Sequence, residues 1–259
     1  MNFYNMSYIK IKEYADELNI DEYEKLAEQL KDDSRKNVQR LIKRLLNMKY
    51  RKDQEIARVK NMYDFDMKFL KYGHLSGVDE VGRGPLAGPI VAAAVILDLN
   101  KFNEDMILDI NDSKKLSVKK REELSKIIKE KSICFNISLI DNMEIDLKGI
   151  GVCNQQVLKS AAEGLKITPD YVISDGYPIK ELDIPSSYAV KGDSKSASIA
   201  CASIIAKVYR DNLMKEYAEK YPEYNFENNV GYGSKVHIEA IKKFGITPIH
   251  RKSFLKNII

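Results

Sequence analysis

Gly77-Val-Asp-Glu-Val-Gly-Arg-Gly-Pro-Leu-Ala-Gly-Pro-Ile-Val-Ala-Ala-Ala-Val-Ile-Leu97 is the stretch on which the reading of the fold turns. Two adjacent carboxylates, Asp79 and Glu80, stand just before a loop with glycines at 82, 84 and 88. The loop runs into an apolar segment, Ile90 to Leu97, that reads as a buried strand. Acids beside a glycine-rich backbone with one arginine make chemical sense if a cation sits on the carboxylates and a phosphate lies on the glycines. Successive side chains of a strand point to opposite faces, so Asp79 and Glu80 can share a site only if the strand bends or ends there, or if the longer glutamate reaches around. Gly82 and Gly84 make such a bend inexpensive.

Around this stretch lie 259 residues, more than one typical domain, so one large domain with an appendage is expected. With 44% hydrophobic and 31% charged residues, the composition is that of a soluble globular protein with a sizeable core. The formal net charge of +4 permits nucleic-acid binding without demonstrating it. Three widely spaced cysteines, Cys134, Cys153 and Cys201, with no C-x-x-C, indicate neither a zinc knuckle nor a disulfide framework. They read as small buried hydrophobes in a reducing cytoplasm. The sequence has no run of the roughly 18 apolar residues that a membrane span needs, and no secretory leader is expected.

Residues 1–72 read as a helical N-terminal extension and residues 73–259 as the main domain, with the boundary near Tyr72-Gly73. Ile11, Tyr14, Ala15 and Leu18 fall on one helical face. Asp21 and Glu24 have capping-box spacing for a second helix. A third helix, starting at Asp33 or Ser34, carries Val38, Leu41, Ile42 and Leu45 on one side. Its other side is basic, with Arg35, Lys36, Arg40, Lys43, Arg44, Lys49, Arg51 and Lys52. That side is either a solvated face or a surface that tracks phosphates.

From Leu75 the pattern changes to strands at 75–80, 89–97, 133–140, 171–174 and 187–190. Helices are expected from Ser117 to about Lys131, through residues 155–165, from about Ser194 to Tyr217 and from Ser234 to Phe244. Three strands close together, then helix, strand, strand and helix, suggest an α/β fold with a mixed sheet covered by helices.

Acids end several of the strands: Asp79, Glu80, Asp175 and Asp193. A single acid at a strand end is ordinarily a turn residue. Four of them, mostly beside glycines, are harder to dismiss. Hard divalent cations such as magnesium and manganese take carboxylate oxygens. Two such ions, about 3.5–4 Å apart, can share bridging carboxylates in phosphodiester hydrolysis. Other motifs fail: Gly82-Arg-Gly84 lacks the G-K-[ST] ending of a P-loop and the register of a dinucleotide fingerprint. Three histidines without G-x-S-x-G give no serine-hydrolase pattern.

These residues resemble the ribonuclease HII family. The resemblance is carried by Gly77-Val-Asp-Glu-Val-Gly-Arg-Gly84 with Ala87-Gly-Pro89, Asn111-Asp-Ser-Lys-Lys-Leu116 and Ser174-Asp-Gly176. It continues in Val190-Lys-Gly-Asp-Ser-Lys-Ser196, Ala206-Lys-Val-Tyr-Arg-Asp211, Gly231-Tyr-Gly233 and Pro248-Ile-His-Arg251. The motifs span about residues 73 to 255.

The resemblance implies a ribonuclease H-like fold and endonucleolytic cleavage of the RNA strand of RNA·DNA hybrids. It further implies nicking 5′ to single ribonucleotides embedded in duplex DNA, with 5′-phosphate and 3′-hydroxyl products. The cofactor it implies is Mn2+ or Mg2+, two ions on Asp79, Glu80, Asp175 and Asp193. Gly82, Arg83, Gly84 and Tyr232 would sense the ribonucleotide junction. Only the 2′-hydroxyl distinguishes RNA from DNA at a sugar, and a glycine backbone can approach it closely.

Lys114, Lys191, Ser194, Lys195 and Ser196 are expected as phosphate contacts or loop caps, Ser194 suiting the N-cap of the long helix. Asp112 reads as a turn residue. A monomeric cytoplasmic enzyme is expected. Ribonuclease HIII is the nearest alternative, and a non-catalytic nucleic-acid-binding module is a second of another class. Arg83 between two glycines and the helical N-terminus favour the HII type. The presence of all four acids disfavours the module.

Overall fold

A computed structural model describes residue 3, residues 5–256 and residue 258. The chain divides into two compact units, Met1–Arg58 and Val59–Ile259. The first unit holds helices α1 (Tyr8–Glu17) and α2 (Tyr23–Leu30) and most of α3 (Lys36–Met67). Their apolar faces close on one another through Ile11, Leu26, Leu30, Val38, Leu41 and Leu45. The Asn19 N–H donates to the Glu22 carboxylate at 3.2 Å, so the box expected at Asp21 and Glu24 sits two residues earlier. Asp21 instead pairs with Lys49 and Lys52 at 3.5 and 3.1 Å.

The compact units part inside α3, because Val59, Met62 and Tyr63 are buried in the core of the second unit. A continuous helix hides this division from composition.

The second unit is a five-stranded mixed sheet, ordered β3-β2-β1-β4-β5. Its strands are β1 (Leu75–Val81), β2 (Ile90–Ile96), β3 (Cys134–Ile140), β4 (Tyr171–Asp175) and β5 (Ser186–Ala189). β2 pairs antiparallel with β1 and β3, while β1, β4 and β5 run parallel. Every residue of β2 is buried, which explains its unbroken apolar sequence. Val91, Ala93 and Val95 pack on one face, and Ile90, Ala92, Ala94 and Ile96 on the other.

The helices of this unit are α4 (Phe102–Asp105), α5 (Val118–Lys131), α6 (Asn142–Lys148), α7 (Ile150–Glu163), α8 (Ala197–Lys220), α9 (Phe226–Asn229) and α10 (Lys235–Phe244). Helix α8 crosses the β1–β2 face with small residues at its start, and α7 covers the opposite face. Gly77 makes this approach possible: a Cβ there would lie 2.2 Å from the Ser198 carbonyl carbon. Ser117, Ser196 and Ser234 cap α5, α8 and α10 by accepting an N–H three residues on.

The expected cap at Ser194 is therefore displaced by two residues. Gly192–Ser194 forms a 3₁₀ turn first, and the Ser194 hydroxyl donates to the Lys191 carbonyl at 2.9 Å. All three cysteines are buried and unpaired. Among the described residues no helix is long and apolar enough to cross a membrane.

Candidate active site

Parallel strands present their carboxyl ends along one edge, and ligands of open α/β sheets bind there. β1 ends in Asp79 and Glu80, β4 in Asp175, and the turn after β5 carries Asp193. These four acids line one cleft of about 500 Å3, together with Gly82, Arg83, Gly84, Lys114 and Tyr232. The ladder of β1 stays intact through Val81, so the two adjacent acids do leave opposite faces of the strand. Asp79 faces the α8 side, where Ser203 lines the same cleft. Glu80 turns to the α7 side and accepts from the Tyr177 hydroxyl at 2.5 Å. Both reach the cleft because it opens across the strand's end, where Gly82, at φ 96°, turns the chain away.

The cleft is electrostatically loaded. Burial holds the Asp79 carboxyl well above the usual carboxylate range, and Glu80 and Asp175 add repulsion. Burial raises Glu80 as well, opposed by the Tyr177 hydrogen bond and by Arg83. Asp193 is raised by burial, then by Asp175 and Asp112. A cation would relieve that repulsion, and an all-carboxylate donor set suits a hard divalent ion.

Among the described residues no three acids, histidines or cysteines are already drawn into one metal cage. Three of the acids instead hold a protein donor, Glu80 that of the Tyr177 hydroxyl. Asp79 accepts the Glu80 N–H at 2.8 Å, and Asp175 accepts the Gly192 N–H at 2.6 Å. The residues fit a metal that keeps several waters rather than one wholly enclosed by protein.

The glycine loop is fixed from behind by two arginines that are fully buried. Arg251 donates to the carbonyls of Gly82 at 2.6 Å, Arg83 at 3.0 Å and Gly88 at 2.9 Å. Arg210 donates to those of Pro89, Val230 and Ala87 at 2.9, 2.9 and 3.2 Å. Burial lowers Arg210 to about 10 and Arg251 to about 9, so both stay cationic at neutral pH. With the Gly82 and Arg83 carbonyls held inward, the Gly82, Arg83 and Gly84 N–H groups have no acceptor among the described residues.

Tyr232, 46% exposed, stands beside this loop: a Cβ on Gly84 would meet its ring at 3.6 Å. The Leu86 and Ala87 N–H groups donate to the Gly231 carbonyl at 2.8 and 3.3 Å, stitching the two loops together.

The Tyr232 carbonyl ends a buried histidine relay. It accepts from His237 Nδ1 at 2.8 Å, so that nitrogen carries the proton. His237 Nε2 must then accept from His250 Nε2, 3.0 Å away. His250 Nδ1 in turn accepts from the Thr247 N–H at 2.9 Å. Every tautomer is set, and both rings are neutral.

The other expected positions separate. Ser196 is 0% exposed and spends its hydroxyl on the Ile199 N–H and on Ser198, so it cannot touch a phosphate. Lys191, Ser194 and Lys195 are exposed but do not line the cleft. Asp112 accepts the Lys114 N–H at 2.9 Å as a turn cap, and it also faces the cleft. Ser203, Lys207 and Tyr177 escaped the sequence reading as site residues. Ser203 and Lys207 are four apart on α8, a spacing that puts polar side chains on one face. Tyr177 left no local signal.

The family model described as ribonuclease HII matches residues 76–257, and that of its N-terminal domain matches residues 10–70. A ribonuclease HII of Clostridium acetobutylicum is 60% identical, the match covering 98% of this chain and 100% of that one. One from Clostridium perfringens is 56% identical, over 100% and 96%. Among solved structures, the ribonuclease H2 of Pyrococcus horikoshii is similar at 26% identity and a TM-score of 0.60, covering 70% of this chain and 93% of that one. The chain belongs to the ribonuclease HII family, endonucleases of the ribonuclease H type that act on RNA·DNA hybrids.

The relay has a pH consequence. Burial and then His237 hold His250 at about 4, below its ordinary 6.5. A histidine lowered on folding contributes stability that is complete above 6.5 and is lost as pH falls toward 4. At pH 5 the loss from His250 is about 2 kcal/mol. The raised carboxyls act in the opposite direction, so the effect is read as a difference. Between pH 7 and pH 5 the parent is expected to lose more stability in denaturant titrations than His250→Gln; equal losses would contradict the relay.

Proposed function

We propose that this ribonuclease HII nicks duplex DNA 5′ to a single embedded ribonucleotide as well as cutting RNA·DNA hybrids, leaving 5′-phosphate and 3′-hydroxyl ends. The observation that carries this reading is the sharing of one cleft by the four acids, the glycine-arginine-glycine loop and Tyr232. Asp79, Glu80, Asp175 and Asp193 would hold magnesium or manganese, two ions per site. Bound there, the ions would supply activation of water and stabilisation of the leaving oxygen.

The chain's own residues do the selecting. Loop amides without an acceptor can meet a 2′-hydroxyl, which both donates and accepts. Their carbonyls are tied back by Arg251, so the amides need little reordering to do so. The Tyr232 ring beside Gly84 can pack against the neighbouring sugar, where a second 2′-hydroxyl would be felt. Lys114 and Lys207 add positive charge to a cleft otherwise dominated by acids. All four acids come from one chain, which supports action as a monomer. Three unpaired cysteines are in keeping with a reducing cytoplasm.

Residues 1–72 would contribute affinity through the backbone of the nucleic acid. The basic side of α3 sorts into two groups. Arg35, Lys49 and Lys52 are engaged by Asp33, Asp53 and Asp21. Lys36, Arg40, Lys43, Arg44 and Arg51 are exposed and have no acidic partner among the described residues. Their spacing places all five on one helical face together with Asn47 and Tyr50. That pattern supports phosphate tracking over a solvated face, since every unpaired cation can release a counterion.

Duplex DNA carrying one ribonucleotide, incubated with magnesium or manganese, is expected to be nicked on the 5′ side of it, while the matched all-DNA duplex stays intact. Tyr232→Ala should slow this nick at least tenfold more than it slows cleavage of a continuous hybrid. Absence of the nick, or equal cutting of all-DNA duplex, would overturn the reading. For the N-terminal unit, Arg40→Ala, Lys43→Ala and Arg44→Ala together should weaken duplex binding at 50 mM salt, with the cleavage rate at saturation preserved. They should also flatten the salt dependence of log Kd by about 2 to 3; an unchanged slope would leave α3 as a solvated face.

A further inference from the structure

Tyr177 follows Asp175 through a sharp turn at Gly176, whose φ is 75°. The turn is fastened on both sides. The Tyr177 N–H donates to the Asp175 carbonyl at 2.9 Å, and the buried Ser174 hydroxyl donates to the Tyr177 carbonyl at 2.6 Å. The ring is thereby brought from β4 across to the end of β1. Its phenol oxygen has three neighbours: Glu80 Oε1 at 2.5 Å, Asn154 Nδ2 at 2.6 Å and Arg83 Nη1 at 3.4 Å.

Two of those neighbours can only donate, since an amide NH2 and a guanidinium have no acceptor. The phenol has one proton and two lone pairs, so that proton is committed to the Glu80 carboxylate. Asn154, buried in α7, presents its NH2 to the phenol, while its Oδ1 has no hydrogen-bond partner among the described residues. Turning its amide over would present an oxygen to the phenol and take the proton away from Glu80. The Arg83 guanidinium lies over the same ring, 5.3 Å from its centroid, and 3.8 Å from the same Glu80 oxygen. One side chain therefore touches the acid at the end of β1 and the arginine of the glycine loop.

We propose that Tyr177 is a positioning residue that locks the Glu80 carboxylate for cation binding and ties it mechanically to the junction-reading loop. The proposal rests on the reading that Glu80 ligates the cation. Glu80 leaves the strand on the face opposite Asp79 and has three rotatable bonds, so without a partner it loses rotamer entropy when it ligates. A hydrogen bond to Oε1 removes that freedom beforehand and leaves Oε2 for the ion. Partners that orient a ligating carboxylate typically change metal affinity 10- to 100-fold when lost. The ring contributes separately, as a flat support for Arg83 that needs no hydroxyl.

The division of labour gives a test in two variants. Tyr177→Phe keeps the ring and removes only the hydroxyl; Tyr177→Ala removes both. Calorimetric titration of Mn2+ into the substrate-free full chain is expected to show about tenfold weaker binding for Tyr177→Phe. The ratio of single-ribonucleotide nicking to hybrid cleavage should remain within twofold of the parent. Tyr177→Ala should lose both, the ratio falling severalfold. Thermal melts establish that each variant is folded, and Asn154→Ala, which leaves the phenol in place, should give an intermediate loss of Mn2+ affinity.

Mn2+ binding by Tyr177→Phe equal to that of the parent would overturn the proposal. Glu80→Gln separates the two layers of the argument. If it weakens Mn2+ binding while Tyr177→Phe does not, only the role of Tyr177 fails. If Glu80→Gln itself leaves Mn2+ binding unchanged, the assignment of Glu80 as a ligand fails first.

Discussion

Two buried guanidinium groups hold this site together. Between them Arg210 and Arg251 take six backbone carbonyls, five from residues 82–89 and one from Val230. A loop rich in glycine has little side-chain packing of its own, so its shape must be imposed from outside. Burying a charge is costly unless it is fully bonded, and here all but one of the carbonyls the arginines hold belong to the loop they shape. The arrangement is consequently all or nothing. Removing one guanidinium strands buried carbonyls at a cost of about 1–3 kcal/mol each, and the loop would relax outward to find water.

That rigidity matters because the candidate metal-holding acids and the proposed junction-sensing loop are nearly consecutive in the chain. Asp79 and Glu80 end a strand whose ladder is unbroken, and Gly82 begins the turn two residues later. The acids are crowded enough that burial and mutual repulsion raise three of them, which makes the cleft receptive to cations. The glycine loop, the Tyr232 loop and Tyr177 then surround that charge with groups that bond either backbone or carboxylate. Even His237 and His250, which form no catalytic pattern in the sequence, bear on the site by anchoring the carbonyl of Tyr232.

Local signals were legible in the sequence. The apolar run of β2 announced a strand buried on both faces, and Ser117 and Ser234 announced the starts of α5 and α10. The strand-end acids, with the family resemblance, marked residues that the fold brings to one cleft although 114 positions separate Asp79 from Asp193. What failed depended on competition between near neighbours or on distant partners. Ser194 and Ser196 are both suitable caps, and only the 3₁₀ turn at Gly192–Ser194 decides between them. The shift from Asp21 to Asn19 arises in the same way, since Asp21 is drawn away by two lysines on α3. Tyr177 and the two buried histidines carry no periodic or spacing signal, because their partners lie on other elements. The basic side of α3 was visible as composition, but which of its cations remain unpaired depends on acids brought in by the fold.

On the proposed reading, the pinned carbonyls of the glycine loop would set how a ribonucleotide junction is discriminated. Arg251→Lys tests it most directly, because an ammonium cannot span three carbonyls as a planar guanidinium does. The measurement is the ratio of nicking at a single embedded ribonucleotide to cleavage of a continuous hybrid, taken on protein shown to be folded and to bind Mn2+ as the parent does. The expected result is a fall of about tenfold in that ratio. A folded, metal-binding variant with an unchanged ratio would contradict it.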